Sequence, residues 1–380
     1  MDSLYLSYPG TLSEVTDARL RELKEVAQSK EAHQQAYAQL EVLGHIFEVR
    51  DKGAGLFPYV LEDNAYRVQL ARSAAKSLPM AYVKLSSEFL THYKPDIAET
   101  ELRRVLDRLG EVKEAPNTSR IDLFLDFASS VDMESWDRRA WVTYAHSISA
   151  YAVDDRFSGW SVGVGGVISA RLYDKTLEIE KSGKTYLLDL WKQAGWNGQG
   201  RVWRLEFELK RELLTQKGLS KLAQVLDNLN GLWSYCTTEW LRLALPSVED
   251  QTRSRWPIHP LWSYLASVDF GADGGPLSSR FSATRAPEDD YLFSHGFSLV
   301  TSLMAREGIE GFPRGCDAFM EKLYAYQERK SYLEGVRFDQ YVSEKVAIKA
   351  RRFNSMLNAT EQSSDMGETA TDYRKQSDGE

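Results

Sequence analysis

Three short polar stripes carry the side chains that could do chemistry: Arg120-Ile-Asp122-Leu-Phe-Leu-Asp126, Arg171-Leu-Tyr173-Asp-Lys175 and Arg204-Leu-Glu206-Phe-Glu208-Leu-Lys210. Strand side chains alternate between faces. Extended, the third stripe sets Arg204, Glu206, Glu208 and Lys210 against Trp203, Leu205, Phe207 and Leu209. The first sets Arg120, Asp122 and Asp126 against Ile121, Leu123, Leu125 and Phe127. Carboxylates are hard oxygen donors, and acids spaced i, i+2 or i, i+4 on two adjacent strands could converge on Mg2+ or Mn2+. Such an ion would polarise a scissile phosphate, while Arg171, Arg204, Lys175 and Lys210 neutralised its growing charge. The same residues also allow a cross-strand salt-bridge ladder, in which Asp122, Glu206 and the arginines satisfy one another.

The elements around the stripes follow from periodicity. Helical spacing runs from Leu12 to about Val49, through Leu20, Leu23, Val26, Leu40, Leu43 and Ile46. Strand-like runs follow at Leu56–Leu70 and Ala81–Tyr93, then an amphipathic helix from Asp96 that Gly110 ends, then the first stripe. The order is echoed by strands at Ala140–Ala152, Phe157–Val164 and Val167–Asp174, a helix at Tyr186–Gly195 and a strand at Arg201–Arg211. The expected fold is therefore α+β: an antiparallel-rich sheet from a duplicated β-β-α-β unit, covered by helices, with a helical region after it. The boundaries expected are a helical segment over 1–50, the sheet domain over 51–250, a helical region over 251–357 and a disordered tail over 358–380. A long helix at Leu219–Leu243 is expected, then helices at Pro260–Val268, Asp289–Arg306, Phe312–Lys330 and Phe338–Phe353, with a linker at Gly271–Gly275 and Ser278–Ala286.

Composition narrows the class. The net charge of −8 argues against a chain coated in nucleic acid but permits a local basic groove. Lys322, Arg329, Lys330, Arg337, Lys345, Lys349, Arg351 and Arg352, interleaved with Tyr324, Tyr326, Tyr332 and Phe338, would suit DNA contact or simply form a solvated face. The segment Arg253-Ser-Arg255-Trp256-Pro257-Ile258-His259-Pro260 could grip DNA or fix the entrance to a helix. The two cysteines, Cys236 and Cys316, form no zinc or redox motif. Six scattered histidines include no His-x-His pair. No apolar run could span a bilayer and the start has no signal-peptide pattern, so a cytoplasmic protein with no membrane partner is expected.

Arg-Ile-Asp-Leu-Phe-Leu-Asp-Phe, Ala-Arg-Leu-Tyr-Asp-Lys and Val-Trp-Arg-Leu-Glu-Phe-Glu-Leu-Lys-Arg, in this order between Ser119 and Arg211, resemble the core of the Rep-trans family. These are replication initiation factors of rolling-circle plasmids, with relaxases of integrative conjugative elements and filamentous-phage relatives. The resemblance implies a nuclease domain over 51–250 that binds double-stranded origin DNA with a single-stranded nick site. It implies nicking by tyrosine transesterification, with a divalent metal, and a second copy of the chain and a host helicase as possible partners. Carried over, Asp122, Asp126, Glu206 and Glu208 become the metal ligands, Mg2+ or Mn2+ the cofactor. Arg171, Tyr173 and Lys175 hold phosphate or support the strand, and Arg204 orients the acids. The family's tyrosine shortly after Leu-Lys-Arg is missing, since that stretch reads Glu212-Leu-Leu-Thr-Gln216-Lys-Gly. Tyr173 and Tyr235 are the candidates to replace it. The alternative is a catalytically inactive origin-binding replication or regulatory protein.

Overall fold

The structure, a computed structural model, describes residues 1–271 and 289–353. They form two units, one from residues 1–13 and 65–271, the other from 14–64 and 289–353. In the first unit the alternating segments become eight sheet strands: β1 (Ser3–Tyr8), β2 (Tyr66–Leu70), β3 (Ala81–Leu85), β4 (Asn117–Ala128), β5 (Ile148–Val153), β6 (Arg156–Val162), β7 (Ile168–Asp174) and β8 (Val202–Lys210). They lie in the order β5-β6-β7-β8-β4-β1-β3-β2, and each neighbouring pair is antiparallel. Hairpin, helices, strand occurs twice. The hairpin β2-β3 leads through Ser87–His92 and Pro95–Leu109 to β4, and β6-β7 leads through Lys175–Ser182 and Tyr186–Gln193 to β8. This makes the three stripe-bearing strands β7, β8 and β4 neighbours, with β1 inserted between β3 and β4.

The apolar sheet face is the core. Ile121, Leu123, Ala170, Leu172, Trp203, Leu205, Phe207 and Leu209 are all buried there. Phe207 packs edge-on against Trp233 at 5.3 Å and Trp240 at 6.3 Å. Truncating a ring so enclosed typically costs about 3–5 kcal/mol. Pro95–Leu109 buries Ala98, Leu102, Val105, Leu106 and Leu109, and Tyr8 reaches it by donating to Glu99 at 3.3 Å.

Three expectations from periodicity need correction. Leu219–Leu243 is not one helix but Leu222–Leu226, Leu229–Ser234, a π-helical turn Tyr235–Trp240 and a short strand Leu241–Leu243. Asn228 takes the cap position between the first two. The Thr237 and Thr238 hydroxyls donate to the Trp233 and Ser234 carbonyls, a pattern that bends helices. Nor is 1–50 a helical segment. Strands at Ser3–Tyr8 and Gly10–Leu12 precede the helix Glu14–Ala27, and Gln39–Val42 pairs with His45–Val49. Leu43 and Gly44 turn that hairpin with φ of 50° and 80°, a left-handed pair that no helix continues through. Lastly, no unit boundary falls at 250–251. Pro260–Ala266 buries Trp262 and Leu265 in the same core as the sheet, with Trp233 Nε1 donating to Leu265 O at 3.0 Å and Trp262 Nε1 to Thr237 O at 2.8 Å.

In the second unit, Glu14–Ala27 and Ala32–Gln35 accompany three short strands, Gln39–Val42, His45–Val49 and Tyr59–Glu62. Helices Asp289–Glu307, Phe312–Leu333 and Phe338–Phe353 complete it. Several expected DNA-contact cations are spoken for: Arg351 holds Glu48 at 2.8 Å and Gln35 at 2.5 Å, and Lys322 holds Glu307 at 3.0 Å. The expected linker beyond Gly271 and the expected tail from 358 lie outside the described residues. Among the described residues no helix is long and apolar enough to cross a membrane.

The segment 253–260 fixes a helix entrance. Arg253 donates to the carbonyls of Arg139 and Trp141, Trp256 Nε1 donates to Asp250 O at 2.6 Å, and His259 Nδ1 accepts from Leu261 N at 3.2 Å. Burial lowers the His259 pKa. A folded value below the unfolded one gives stability that is present above the ordinary histidine range and lost as pH falls through it. His259→Asn keeps a capping acceptor; it should flatten the acid side of a thermal-stability profile between about pH 5 and pH 7. An unchanged profile would remove this role for His259.

Candidate active site on the polar sheet face

Register decides which charges meet. Across β7 and β8, Arg171 pairs with Glu206, Tyr173 with Arg204 and Ser169 with Glu208. Across β8 and β4, Glu208 pairs with Asp122, Arg204 with Asp126 and Lys210 with Arg120. Opposed residues in an antiparallel pair share a face, so all three stripes project from one side of adjacent strands. Acids and bases then sort into two groups.

The first group is centred on Arg204, which is fully buried. Its Nε and Nη2 hold both Asp126 oxygens, at 2.6 and 2.8 Å, and its Nη1 holds Asp2 Oδ1 at 2.5 Å. The guanidinium lies 3.7 Å from the centre of the Phe124 ring. Trp191 Nε1 donates to Asp126 Oδ2 at 2.9 Å, and Ser87 Oγ to Asp2 Oδ1 at 3.0 Å. Burial opposes ionisation of Asp2, but the Arg204 charge, with Lys184 and Lys175 behind it, brings its pKa below the usual carboxylate value. Asp126, expected as a metal ligand, is thus a structural counterion whose two oxygens already accept from Arg204 and Trp191. Arg204, expected beside a phosphate, is itself enclosed and spent on Asp126 and Asp2.

The second group is open to solvent at one side. Arg120 holds both Asp122 oxygens at 2.7 Å and Glu208 Oε2 at 2.8 Å. Arg171, with a side chain 44% exposed, reaches Glu206 Oε1 at 3.4 Å and Glu208 Oε2 at 3.7 Å. Lys210 Nζ lies 3.7 Å from Glu208 Oε1. Tyr173 donates its hydroxyl to Glu206 Oε2 at 3.2 Å. Burial raises the Glu206 pKa, as do the Asp2 and Asp122 charges, and Arg204 and Arg171 do not offset them. Burial also raises the Tyr173 phenol well above its ordinary value, reinforced by Glu206. The pair is a protonated phenol beside a carboxylate with heightened affinity for a proton.

The neighbouring strand comes close to the base of that side chain. Gly159 lies opposite Tyr173 with φ of 152°; a Cβ there would meet Leu172 O at 2.2 Å and Tyr173 Cβ at 2.9 Å. Lys175 supports the ring from behind. It is buried at the start of Lys175–Ser182, holds Glu178 at 2.6 Å, and its Nζ lies 5.4 Å from the Tyr173 ring centre. Burial and the Arg204 charge lower its pKa. Asp174 between them points to the other face and caps that helix, accepting from Leu177 N at 3.1 Å. Tyr235 does not join the site. It packs among the helices covering the apolar face, with Lys217 Nζ 3.7 Å above its ring, so the sheet separates it from the acids.

Asp122, Glu206 and Glu208 have the donor chemistry of a Mg2+ or Mn2+ site. Their spacing is currently held by Arg120 and Arg171. Among the described residues no three or more His, Cys, Asp or Glu side chains are gathered closely enough to hold an ion as they stand. Asp2 and Trp191 were missed in the sequence. Asp2 precedes β1 and lies 202 positions from Arg204, and neither residue stands in a motif.

The fold and site describe an antiparallel α+β protein with a carboxylate-bonded tyrosine and a cluster of arginines on one charged sheet face. No protein-family model matches the chain, and no curated protein matches it. A solved structure of a rolling circle replication initiator protein from Geobacillus stearothermophilus is similar over 70% of this chain and 93% of its own, with 13% identity and a TM-score of 0.40. Likeness at that level carries no functional argument, so function has to be drawn from the site itself.

If Arg204 is the buried counterion of Asp126 and Asp2, Arg204→Met should lower unfolding stability by about 3–5 kcal/mol in denaturant titration, because two buried carboxylates lose their partner. Adding Asp126→Asn should recover part of that loss. Additive losses in the double variant would dissolve the pair.

Proposed function

We propose that this chain is a replication initiation factor that binds the origin DNA of a plasmid, phage or integrative element and nicks one strand by tyrosine transesterification. The observation carrying it is the Tyr173 hydroxyl donating to Glu206 at 3.2 Å, on a face that also bears Arg171, Arg120 and Lys210. A phenol becomes a competent nucleophile when a neighbouring base takes its proton as it attacks. Glu206 accepts that proton. Tyr173 Oη bonds to phosphorus and the P–O3′ bond breaks. The departing 3′ oxygen takes a proton from water, and the cut strand remains attached as a 5′-phosphotyrosine. Arg171, half exposed, and Arg120 are placed to neutralise the phosphoryl oxygens. Asp122, Glu206 and Glu208 would hold Mg2+ or Mn2+, which would supply further polarisation of the phosphate.

The cheapest test of the nucleophile is a suicide oligonucleotide substrate carrying the origin, followed by mass mapping of the covalent adduct. The adduct should sit on Tyr173, vanish in Tyr173→Phe and persist at full yield in Tyr235→Phe. Mapping to another tyrosine would remove Tyr173 from this role. The raised phenol and the arginine-bonded acids also favour a second reading, an origin-binding protein without catalysis. It is distinguished by salt-sensitive DNA binding with no adduct under any metal condition.

Metal binding is checked without activity. Mn2+ should stabilise the protein in thermal scans by RT ln(1 + [Mn2+]/Kd), about 2.7 kcal/mol at a hundredfold excess over Kd. Glu208→Gln should abolish the shift. No shift in the wild-type protein would leave the acids as an ion-pair ladder alone.

A further inference from the structure

The polar sheet face continues beyond the acids. β1 and β3 alternate as Ser3-Leu4-Tyr5-Leu6-Ser7 and Ala81-Tyr82-Val83-Lys84-Leu85, with Leu4, Leu6, Ala81, Val83 and Leu85 buried on the core side. Register then draws one row across five strands. Lys210 on β8 stands opposite Arg120 on β4, and Arg120 opposite Tyr5 on β1. Tyr5 stands opposite Lys84 on β3, and Lys84 opposite Arg67 on β2. Directly opposed residues share a face, so these side chains lie in line at strand spacing over about 19 Å. The next row on the same face joins Ser7, Tyr82 and Gln69.

The two tyrosines are half-buried and their rings are fixed. The Arg120 guanidinium lies 5.0 Å and Lys84 Nζ 5.6 Å from the Tyr5 ring centre. The Tyr5 and Tyr82 rings are 6.1 Å apart, inclined at 44°. Burial raises the Tyr82 phenol, reinforced by Tyr5, and the charges of Arg120 and the exposed Arg211 act against it. The character of the face changes at β4. Beyond it, Tyr5, Ser7, Tyr82, Lys84, Arg67 and Gln69 occupy the face, and none is an acid. Arg120 belongs to both halves, holding Asp122 and Glu208 while its guanidinium faces Tyr5.

Charge and ring placement select the occupant. A row of cations calls for a ligand with repeating negative charge. Neighbouring aromatic rings on the central strands of an antiparallel sheet, here ordered β4-β1-β3-β2, call for flat rings to stack on them. A nucleic-acid strand with unpaired bases carries both, whereas a duplex keeps its bases stacked within itself. We propose that the β4-β1-β3-β2 face binds about two or three nucleotides of single-stranded DNA, with bases on Tyr5 and Tyr82 and phosphates on Lys84 and Arg120. The surface names the path of the cut strand and rests on the proposed nicking function for that role alone; binding is measured separately.

The probe is a fluorescein-labelled oligothymidine of about eight nucleotides, titrated against the full chain by anisotropy over a range of salt, beside a blunt duplex of equal length. Tyr5→Leu should weaken oligothymidine binding roughly tenfold, the scale of one lost stacked base. Tyr5→Phe, which keeps a ring on this central strand, should stay within about twofold of the wild type. Lys84→Gln should flatten the slope of log K against log salt by about 0.7, the value for one phosphate contact on a single strand. Lys84→Arg should restore that slope, and duplex affinity should change by less than about twofold in every variant.

Unchanged oligothymidine affinity in Tyr5→Leu, or an unchanged slope in Lys84→Gln, would overturn the proposal. Equal losses for oligothymidine and duplex would also overturn it, as would a loss in Tyr5→Phe as large as that in Tyr5→Leu. A Tyr173 adduct alongside any of those results keeps nicking and removes this surface. Ring- and charge-dependent oligothymidine binding without any adduct does the reverse.

Discussion

Buried Arg204 is the interaction on which the site depends. A guanidinium removed from water is tolerable only with its charge compensated and its fork of donors filled. Asp126 fills two donors from β4 and Asp2 a third from the residue before β1, so one side chain on β8 ties three adjacent strands. Phe124 closes one face of the guanidinium and Trp191 braces Asp126. The alignment of Glu206 and Glu208 with Asp122 depends on this fixed register, because a slip of one residue would turn every acid to the apolar side.

The two charge groups on this face do different work. Around Arg204 nearly every polar atom is matched and enclosed, which is the condition for rigidity. Around Glu206 the balance is unsettled: burial raises the carboxyl's pKa, Arg171 is half exposed, and a phenol supplies the remaining hydrogen bond. The rigid group supplies the frame against which the unsettled one is held.

The stripes were legible because strand periodicity is local. Alternation in 120–126 and 204–210 correctly placed Arg120, Asp122, Glu206, Glu208 and Lys210 on one face, and the antiparallel-rich sheet with twofold hairpin–helix–strand order followed from the same signal. Helix boundaries at 289–353 were legible for the same reason. Apolar spacing misled where two periods coincide: Leu40, Leu43 and Ile46 fit a helix, yet Leu43-Gly44 makes a hairpin turn. It misled again at 219–243, where threonine hydroxyls compete with the helical backbone.

By itself, then, the sequence determined the period, polarity and face of each strand, since these depend on neighbouring residues alone. Only the tertiary structure decided which charges are enclosed and fully paired and which stay partly open to solvent. Asp126 and Glu206 look alike in their stripes, but one lies across from Arg204 and beside Trp191, the other beside a tyrosine and a half-exposed arginine. The same distance effect removed Tyr235 to the apolar side and brought Asp2 into contact with Arg204. Electrostatic and hydrogen-bond energies fall off over a few ångströms of space, and those separations are set by strand order and register, which no local pattern contains.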